Sequence, residues 1–202
     1  MKTKIKFVYF DIGGVALNFY DALKTLAKHV DRSEEHILKV FNKYDDDVCV
    51  GKMTPQAYWD RLKQELDLTV DIENFLEWLV DRFIPHKEVH ELMMLVSKHY
   101  KIGLLTNIYE GTFVKIINKG HVPQLEYATI VQSFEQKKIK PDKEIFIYAQ
   151  ELAGVKSKEI FFIDDTAKNI NQAKQLGWNT FLFDAANIEQ SIKQIKQKLK
   201  IS

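Results

Sequence analysis

The strongest constraint on this chain is a set of short, bulky apolar runs that each stop abruptly at a polar residue. IKFVYF (5–10) ends at Asp11, with Gly13-Gly14 just beyond, and KIGLLT (101–106) ends at Thr106-Asn107. YATIV (127–131), IFFI (160–163) before Asp164-Asp165, and TFLF (180–183) follow. Runs this short, rich in aromatic and β-branched residues and with little polar alternation, predict strands buried on both faces. The segments between the later runs have helical length and spacing. The pattern therefore predicts βαβ units, giving an α/β chain with a three-layer α/β/α, Rossmann-like parallel sheet.

Between the first run and the one at 101 lie about ninety residues with no convincing strand, far beyond the usual length of a structureless connection. They predict a helical-bundle insertion over 17–85, leaving 1–16 and 86–202 as the sheet core. Asp31 with Glu34 reads as a capping box opening a helix through Phe41. Thr54-Pro55 reads as an N-cap with proline at the first helical position. Tyr58, Trp59, Leu62 and Leu66 supply one apolar face, and Phe75, Leu76, Leu79 and Phe83 another. A helix over 87–99 leads back to the sheet, and Ile192, Ile195 and Leu199 make the lysine-rich tail a docked surface helix.

In an open parallel sheet, ligands bind beyond the carboxyl ends of the strands. The residues there are Asp11, Thr106, Asn107, Asp164 and Asp165, with Lys140 in KKIKPD ahead of a helix starting near Pro141. Singly, each has an ordinary reading as a turn or cap residue. The adjacent Asp164-Asp165 pair is more informative, because neighbouring like charges gain stability from a cation. Together the set describes phosphoryl transfer. An ionised aspartate can attack phosphorus, provided that a divalent cation and a lysine neutralise the incoming dianion, and Mg²⁺ suits an oxygen-only ligand set.

FVYFDIGGV, LLTN, KKIKPD and FFIDDTAKNI, in that order and with a helical insertion after the first, resemble the haloacid dehalogenase-like hydrolase superfamily. The resemblance covers residues 5 to 185 as core and 17–85 as what looks like the family's helical cap. It implies that Asp11 is the nucleophile and a metal ligand, that Thr106 binds the phosphoryl group with help from Asn107, and that Lys140 balances charge. It further implies that Asp165 is the main second metal carboxylate with Asp164 beside it, and that Gly13 gives its backbone carbonyl to Mg²⁺. Phosphatases of this superfamily usually carry an aspartate general acid where this chain has Gly13. That departure leaves three readings open. One is a phosphatase for a small phosphorylated metabolite with a good leaving group, such as a sugar 1-phosphate or an acyl phosphate. The others are a phospho-ligand-binding or weakly active protein, and a 2-haloacid dehalogenase, for which the arginines are Arg32, Arg61 and Arg82.

Charge narrows the partners. Across 202 residues, 29 basic against 28 acidic side chains give a net charge of +1, which lacks the footprint of a nucleic-acid or anionic-membrane binder. A lone cysteine, Cys49, cannot form an intramolecular disulfide or a cysteine-based zinc site. The first apolar run is too short for a leader or a span, so a cytoplasmic location is expected. Asp45-Asp46-Asp47 reads as a solvated turn between helices of the insertion. His86, His90 and His99 read as surface or packing residues, and Phe19, Tyr20, Tyr109 and Glu110 as either packing or substrate-facing. Tyr44, Tyr58 and Trp59 are more plausible as core of the insertion than as a substrate wall.

Overall fold

The computed structural model describes residues 4–202, so Met1–Thr3 of the expected first core segment lie outside the described residues. In chain order the elements are β1 (Phe7–Phe10), β2 (Leu17–Asn18), α1 (Tyr20–His29), α2 (Glu34–Cys49), α3 (Pro55–Leu66), α4 (Phe75–Val80), β3 (Ile84–Pro85), α5 (Lys87–Ser97) and β4 (Lys101–Thr106). Then come α6 (Thr112–Asn118), β5 (Thr129–Gln132), α7 (Ser133–Gln136), α8 (Lys143–Ala153), β6 (Ile160–Asp164), α9 (Ala167–Gln175), β7 (Asn179–Leu182) and α10 (Ile188–Leu199).

Among the described residues, five strands form a parallel sheet in the order β5-β4-β1-β6-β7. The central β1 shows why its sequence is apolar throughout. Val8 and Phe10 face Val89 and Met93 of α5 and Ile195 of α10, while Phe7 and Tyr9 face Phe146 of α8 and Ile170 of α9. Both faces are covered, which is the three-layer arrangement expected of a parallel sheet. Phe10 lies in register with Leu104 on one side and Ile163 on the other. The ends of β1, β4 and β6 are therefore level, and the strand order reverses at β1: the chain passes from β1 to β4 and β5 on one side, then crosses back to β6 and β7 on the other. That opens a crevice at the carboxyl edge.

Helices α1 to α4 pack on one another through Leu26, Ile37, Tyr58, Trp59, Leu62 and Phe75, a core separate from the two that flank the sheet. Thr54 caps α3 by accepting the Ala57 N–H at 3.2 Å, with Pro55 at the first turn as expected. The opening of α2 differs from expectation. Ser33, not Asp31, is the N-cap and accepts the His36 N–H at 3.2 Å, while Asp31 sits in a left-handed turn at φ 51°. Helix α2 also runs to Cys49 rather than stopping at Phe41, so Asp45-Asp46-Asp47 form its last turns and not a loop. Local acidity reads as a turn, but the apolar positions Val40, Phe41, Val48 and Cys49 keep the helix packed past it.

The stretch before 101 also holds strands that periodicity could not reveal. The two-residue β2 and β3 pair antiparallel, Leu17 with Pro85 and Asn18 with Ile84, where the chain passes out of and back into the sheet core. His86 donates from Nδ1 to the Val15 carbonyl at 2.8 Å and buried His90 from Nε2 to the Ala16 carbonyl at 3.0 Å. Both histidines thus brace this crossing, in keeping with a packing role, while His99 is exposed. Helix α8 begins at Lys143, two residues after Pro141, and α10 docks through Ile195 and Leu199. Among the described residues, no helix is long and apolar enough to cross a membrane.

Candidate active site

Asp11 follows β1 directly, Thr106 ends β4, Asp164 ends β6, and Lys140 comes from the loop before α8. Their meeting is thus set by strand register. The Lys140 ammonium lies 2.8 Å from Asp11 Oδ2 and 2.7 Å from Asp164 Oδ2, with Lys140 1% exposed and Asp164 wholly buried. Carboxylate oxygens of Asp11, Asp164 and Asp165 lie within 4.8 Å of one another.

Each group is held by further bonds. Asp11 Oδ1 accepts the Ile12 N–H at 2.7 Å. Asp164 accepts the Thr166 N–H at 2.8 Å and the Asn169 amide at 3.1 Å on both oxygens. Asp165 accepts the Thr166 hydroxyl at 3.1 Å. Asn107 grips the backbone of Lys140 twice, accepting its N–H at 2.8 Å and donating to its carbonyl at 3.0 Å. The Thr106 hydroxyl makes only a long contact, 3.4 Å, to the Asn107 carbonyl, so its proton is available to a ligand.

The electrostatics show an unfinished charge balance. Three carboxylates face one ammonium. Burial first, then the like charges of Asp164 and Asp165, push the Asp11 carboxyl well above the usual carboxylate range against the pull of Lys140. Burial also raises Asp165, with Asp164 adding to it. Burial alone would lower the Lys140 ammonium, but Asp11 and Asp164 more than offset it and hold it above its ordinary value. A divalent cation among these oxygens would relieve the repulsion, and three carboxylates are donors of the kind a hard oxygen-seeking ion requires.

Two glycines shape the floor. Gly14 has φ 76°, and a Cβ there would lie 1.9 Å from Asp165 Oδ2, so only glycine lets Asp165 approach. At Gly13, a Cβ would meet the ring of Phe19 at 3.2 Å. The space beside Gly13 is therefore bounded by an aromatic ring stacked on Tyr20.

A cavity of about 370 Å³ opens above this floor. Asp11, Gly13, Thr106, Asn107, Lys140 and Asp165 all border it, as do Phe19, Tyr20 and Tyr109. Its roof comes from α1, α2 and α4, with Phe41, Leu76 and Leu79 among the contributors. Tyr58 and Trp59 are buried inside the insertion instead, and Tyr44 pairs with Glu65, so none of these three aromatics reaches the cavity.

A family model for haloacid dehalogenase-like hydrolases matches residues 8–183. The chain belongs to that family. Comparison with the curated proteins gave no match. Among solved structures, an enzyme of the family from Bacteroides thetaiotaomicron, in complex with magnesium and inorganic phosphate, is 26% identical. It superposes with TM-score 0.67 over 90% of this chain and 95% of its own. A HAD-like hydrolase from Porphyromonas gingivalis, 21% identical, shares the fold at TM-score 0.76 over 99% of this chain and 100% of its own. The L-2-haloacid dehalogenase of Xanthobacter autotrophicus also shares the fold, at 15% identity and TM-score 0.69, over 87% of this chain and 76% of its own.

In this hydrolase the structure brings every residue singled out at the strand ends to one place. It also adds residues that the strand-end reading passed over. Asn169, five residues past Asp164 and one turn into α9, holds that carboxylate. Buried Ser133 accepts the Ile108 N–H at 2.9 Å and donates to the Cys49 carbonyl at 2.6 Å, tying the loop after Thr106 to the end of α2. Asp45, expected in solvent, borders the cavity and accepts a hydrogen bond from the Tyr109 hydroxyl. Asn169 carried a sequence signal, since it lies in the first turn of the helix that follows Asp164-Asp165 and so near the same strand end. Ser133 and Asp45 carried none, because their partners are distant in sequence.

Proposed function

We propose that this hydrolase is a Mg²⁺-dependent phosphatase acting on a small phosphorylated metabolite through an aspartyl-phosphate on Asp11. The observation that carries the proposal is the convergence of Asp11, Asp164 and Asp165 on one side and Lys140 on the other at the floor of an otherwise largely apolar cavity. The relative from B. thetaiotaomicron, complexed with magnesium and phosphate, supports the same reading.

Asp11, Asp165 and the carbonyl of Gly13 would hold the ion, with Asp164 beside them. Bound Mg²⁺ supplies neutralisation of the surplus negative charge and polarisation of the phosphoryl oxygens. Asp11 attacks phosphorus, forming the acyl phosphate bond as the ester oxygen leaves, and water then attacks phosphorus to release phosphate and restore Asp11. Lys140, fixed by Asn107 and Asp164, offsets charge on the transferring group. The Thr106 hydroxyl binds a phosphoryl oxygen. Asp164 acts mainly by keeping Lys140 in place, since its oxygens are already engaged. No side chain at position 13 can protonate the leaving oxygen, which favours substrates whose leaving group departs readily, such as a sugar 1-phosphate or an acyl phosphate. Helices α1 to α4 serve as a cap that excludes water and bounds the substrate.

The dehalogenase reading lacks an anchor for the substrate carboxylate. Arg32 donates to the Leu66 carbonyl at 3.1 Å, Arg61 lies over the Tyr44 ring, and Arg82 donates to the Trp78 carbonyl at 2.7 Å while lying over that indole. None of the three borders the cavity.

A panel of phosphate esters assayed with Mg²⁺ tests the proposal. Phosphate release that stops on chelation, with Asp11 modified by beryllofluoride, is the expected result. No turnover of any ester, or Mg²⁺-independent chloride release from a 2-haloacid, overturns it.

A further inference from the structure

Two carboxylates of the insertion, Asp45 and Asp46, border the cavity. Asp46 is exposed, whereas Asp45 is partly buried, one helical turn before buried Cys49 at the end of α2. The Tyr109 hydroxyl donates to Asp45 Oδ1, and Oδ2 has only a long contact, 3.9 Å, with Cys49 Sγ. That leaves Oδ2 to a ligand.

Asp45 is also fixed relative to the floor. The Ser133 hydroxyl that donates to the Cys49 carbonyl at 2.6 Å accepts, at 2.9 Å, the N–H of Ile108, the residue before Tyr109. Ser133 thereby ties both neighbours of Asp45 to the loop that leaves Thr106. Just past α2, a Cβ at Gly51 would lie 3.3 Å from the Phe134 carbonyl oxygen, so this end of the helix abuts α7 as well. Burial first, then Asp45 and Asp46, raise the Cys49 thiol, while Lys140 pulls it down and Asp11 adds to the rise. This turn of α2 therefore stands within electrostatic reach of the reacting groups.

In an in-line displacement the attacking and leaving oxygens lie on opposite sides of phosphorus. With Asp11 at the floor, the ester oxygen departs toward the roof, and beside Gly13 the nearest space is taken by the Phe19 ring. Burial raises the Asp45 carboxyl against the hydrogen bond from Tyr109, with Asp46 adding to the rise and Cys49 and Lys168 opposing it. A carboxyl raised toward neutrality holds its proton better than an ordinary aspartate and still releases it readily. Tyr20, which also borders the cavity, is raised further above an already high value by burial and by Asp165, Asp45 and Asp11. It can donate a hydrogen bond but is a poor source of a proton.

We propose that Asp45 is the general acid–base of the reaction, supplied by the insertion across the cavity from Asp11. Asp45 gives its proton to the ester oxygen as the bond from that oxygen to phosphorus breaks and the bond from Asp11 to phosphorus forms. As a carboxylate it then takes a proton from the water whose oxygen attacks phosphorus, releasing phosphate and Asp11 and restoring the acid. This role rests on the phosphatase reading and extends it from esters with good leaving groups to alkyl phosphates.

Three esters of similar shape and graded leaving group test it: 4-nitrophenyl, phenyl and benzyl phosphate. The Mg²⁺-loaded wild type should hydrolyse all three. Asp45→Asn should keep kcat/KM for 4-nitrophenyl phosphate within severalfold of wild type and lower it for benzyl phosphate by about 10²-fold or more, with phenyl phosphate between. The variant should also release a stoichiometric burst of 4-nitrophenol before slow turnover, because the aspartyl-phosphate forms but its hydrolysis lacks a base. Lys168→Met, at the exposed mouth, should leave the ratio of benzyl to 4-nitrophenyl phosphate within severalfold of wild type. Each comparison is a ratio within one preparation, so a variant that folds less well does not distort it. An equal loss on all three esters in Asp45→Asn, no loss on benzyl phosphate, or a ratio that shifts in Lys168→Met and not in Asp45→Asn overturns the inference and leaves the phosphatase reading standing. A wild type that turns over 4-nitrophenyl phosphate but not benzyl phosphate does the same. No turnover of any phosphate ester overturns both.

Discussion

The floor and the roof of the cavity are built on different principles. The floor is polar, buried and over-determined: Asp11, Lys140 and Asp164 are 7%, 1% and 0% exposed, and each is held by bonds from a different element. The roof is largely apolar and is joined to the floor by a few contacts, chiefly the Ser133 hydroxyl, the Tyr109–Asp45 bond, and the ion pairs of Glu77 in α4 with Lys115 and Lys119. Strand ends can fix charges to fractions of an ångström because the sheet register is shared. A helical insertion joined through the short β2–β3 pair can vary its inner face without disturbing that register. Changes to the floor should therefore alter rate for every ester alike, and changes to the roof should alter the ranking of esters.

The largest expected effect is that of Asp11→Asn, which should lower kcat by about 10⁴-fold or more across all esters, as expected for loss of a nucleophile. A variant retaining activity on one ester and not another would break the distinction. Next is Lys140→Met. It leaves Asp11 and Asp164 buried together with no cation, and removing one partner of a buried charge pair costs about 3–5 kcal/mol. Urea unfolding should show that loss in the metal-free protein, and added Mg²⁺ should recover part of it. Unchanged stability would mean that the lysine is not what holds the two carboxylates.

Ser133→Ala probes the joint between the two regions. It leaves the Ile108 N–H and the Cys49 carbonyl without their partner, at a cost of about 1–3 kcal/mol. We expect a lower unfolding midpoint and a raised KM, with kcat changed less. A kcat loss comparable to that of Asp11→Asn would place Ser133 in the floor rather than the joint.

The smallest effect is acidic. Lys115 and Lys119 hold the Glu77 carboxyl down to about 2 from an ordinary 4.5. A depressed folded-state value stabilises above the unfolded value and ceases to do so as pH falls through the folded one. The gap in melting temperature between wild type and Glu77→Gln should therefore be present at pH 6 and close between about pH 4.5 and 2. The three side chains are only partly buried, so the gap should also shrink with salt. A gap that persists to the lowest pH would show that the glutamate acts through packing.

The difference between the two regions also separates what could be read in one dimension from what could not. Apolar runs stopping at Asp11, Thr106 and Asp164 announced both the parallel sheet and the polar residues that meet at its edge, because a strand buried on both faces must end where polarity begins. Lys140 was legible through the same ordered motifs. The β2–β3 pair was not, since two-residue strands have no period to detect. Asp31 and Ser33 competed to cap α2, and the backbone at Asp31 turned left-handed, leaving the cap to Ser33. Asp45-Asp46-Asp47 had the composition of a turn, yet the packing of α2 against its neighbours carried the helix through them.

By itself, then, the sequence determined the family, the sheet, and the residues at its edge, because hydrophobic periodicity and strand-terminal polarity are local properties. Tertiary structure alone decided that Asn107 clamps Lys140, that the Phe19 ring borders the space at Gly13, that Gly14 makes room for Asp165, and that Asp45 borders the cavity. Those relations join positions whose spacing along the chain carries no period, and only the packing of separate elements brings them within bonding distance.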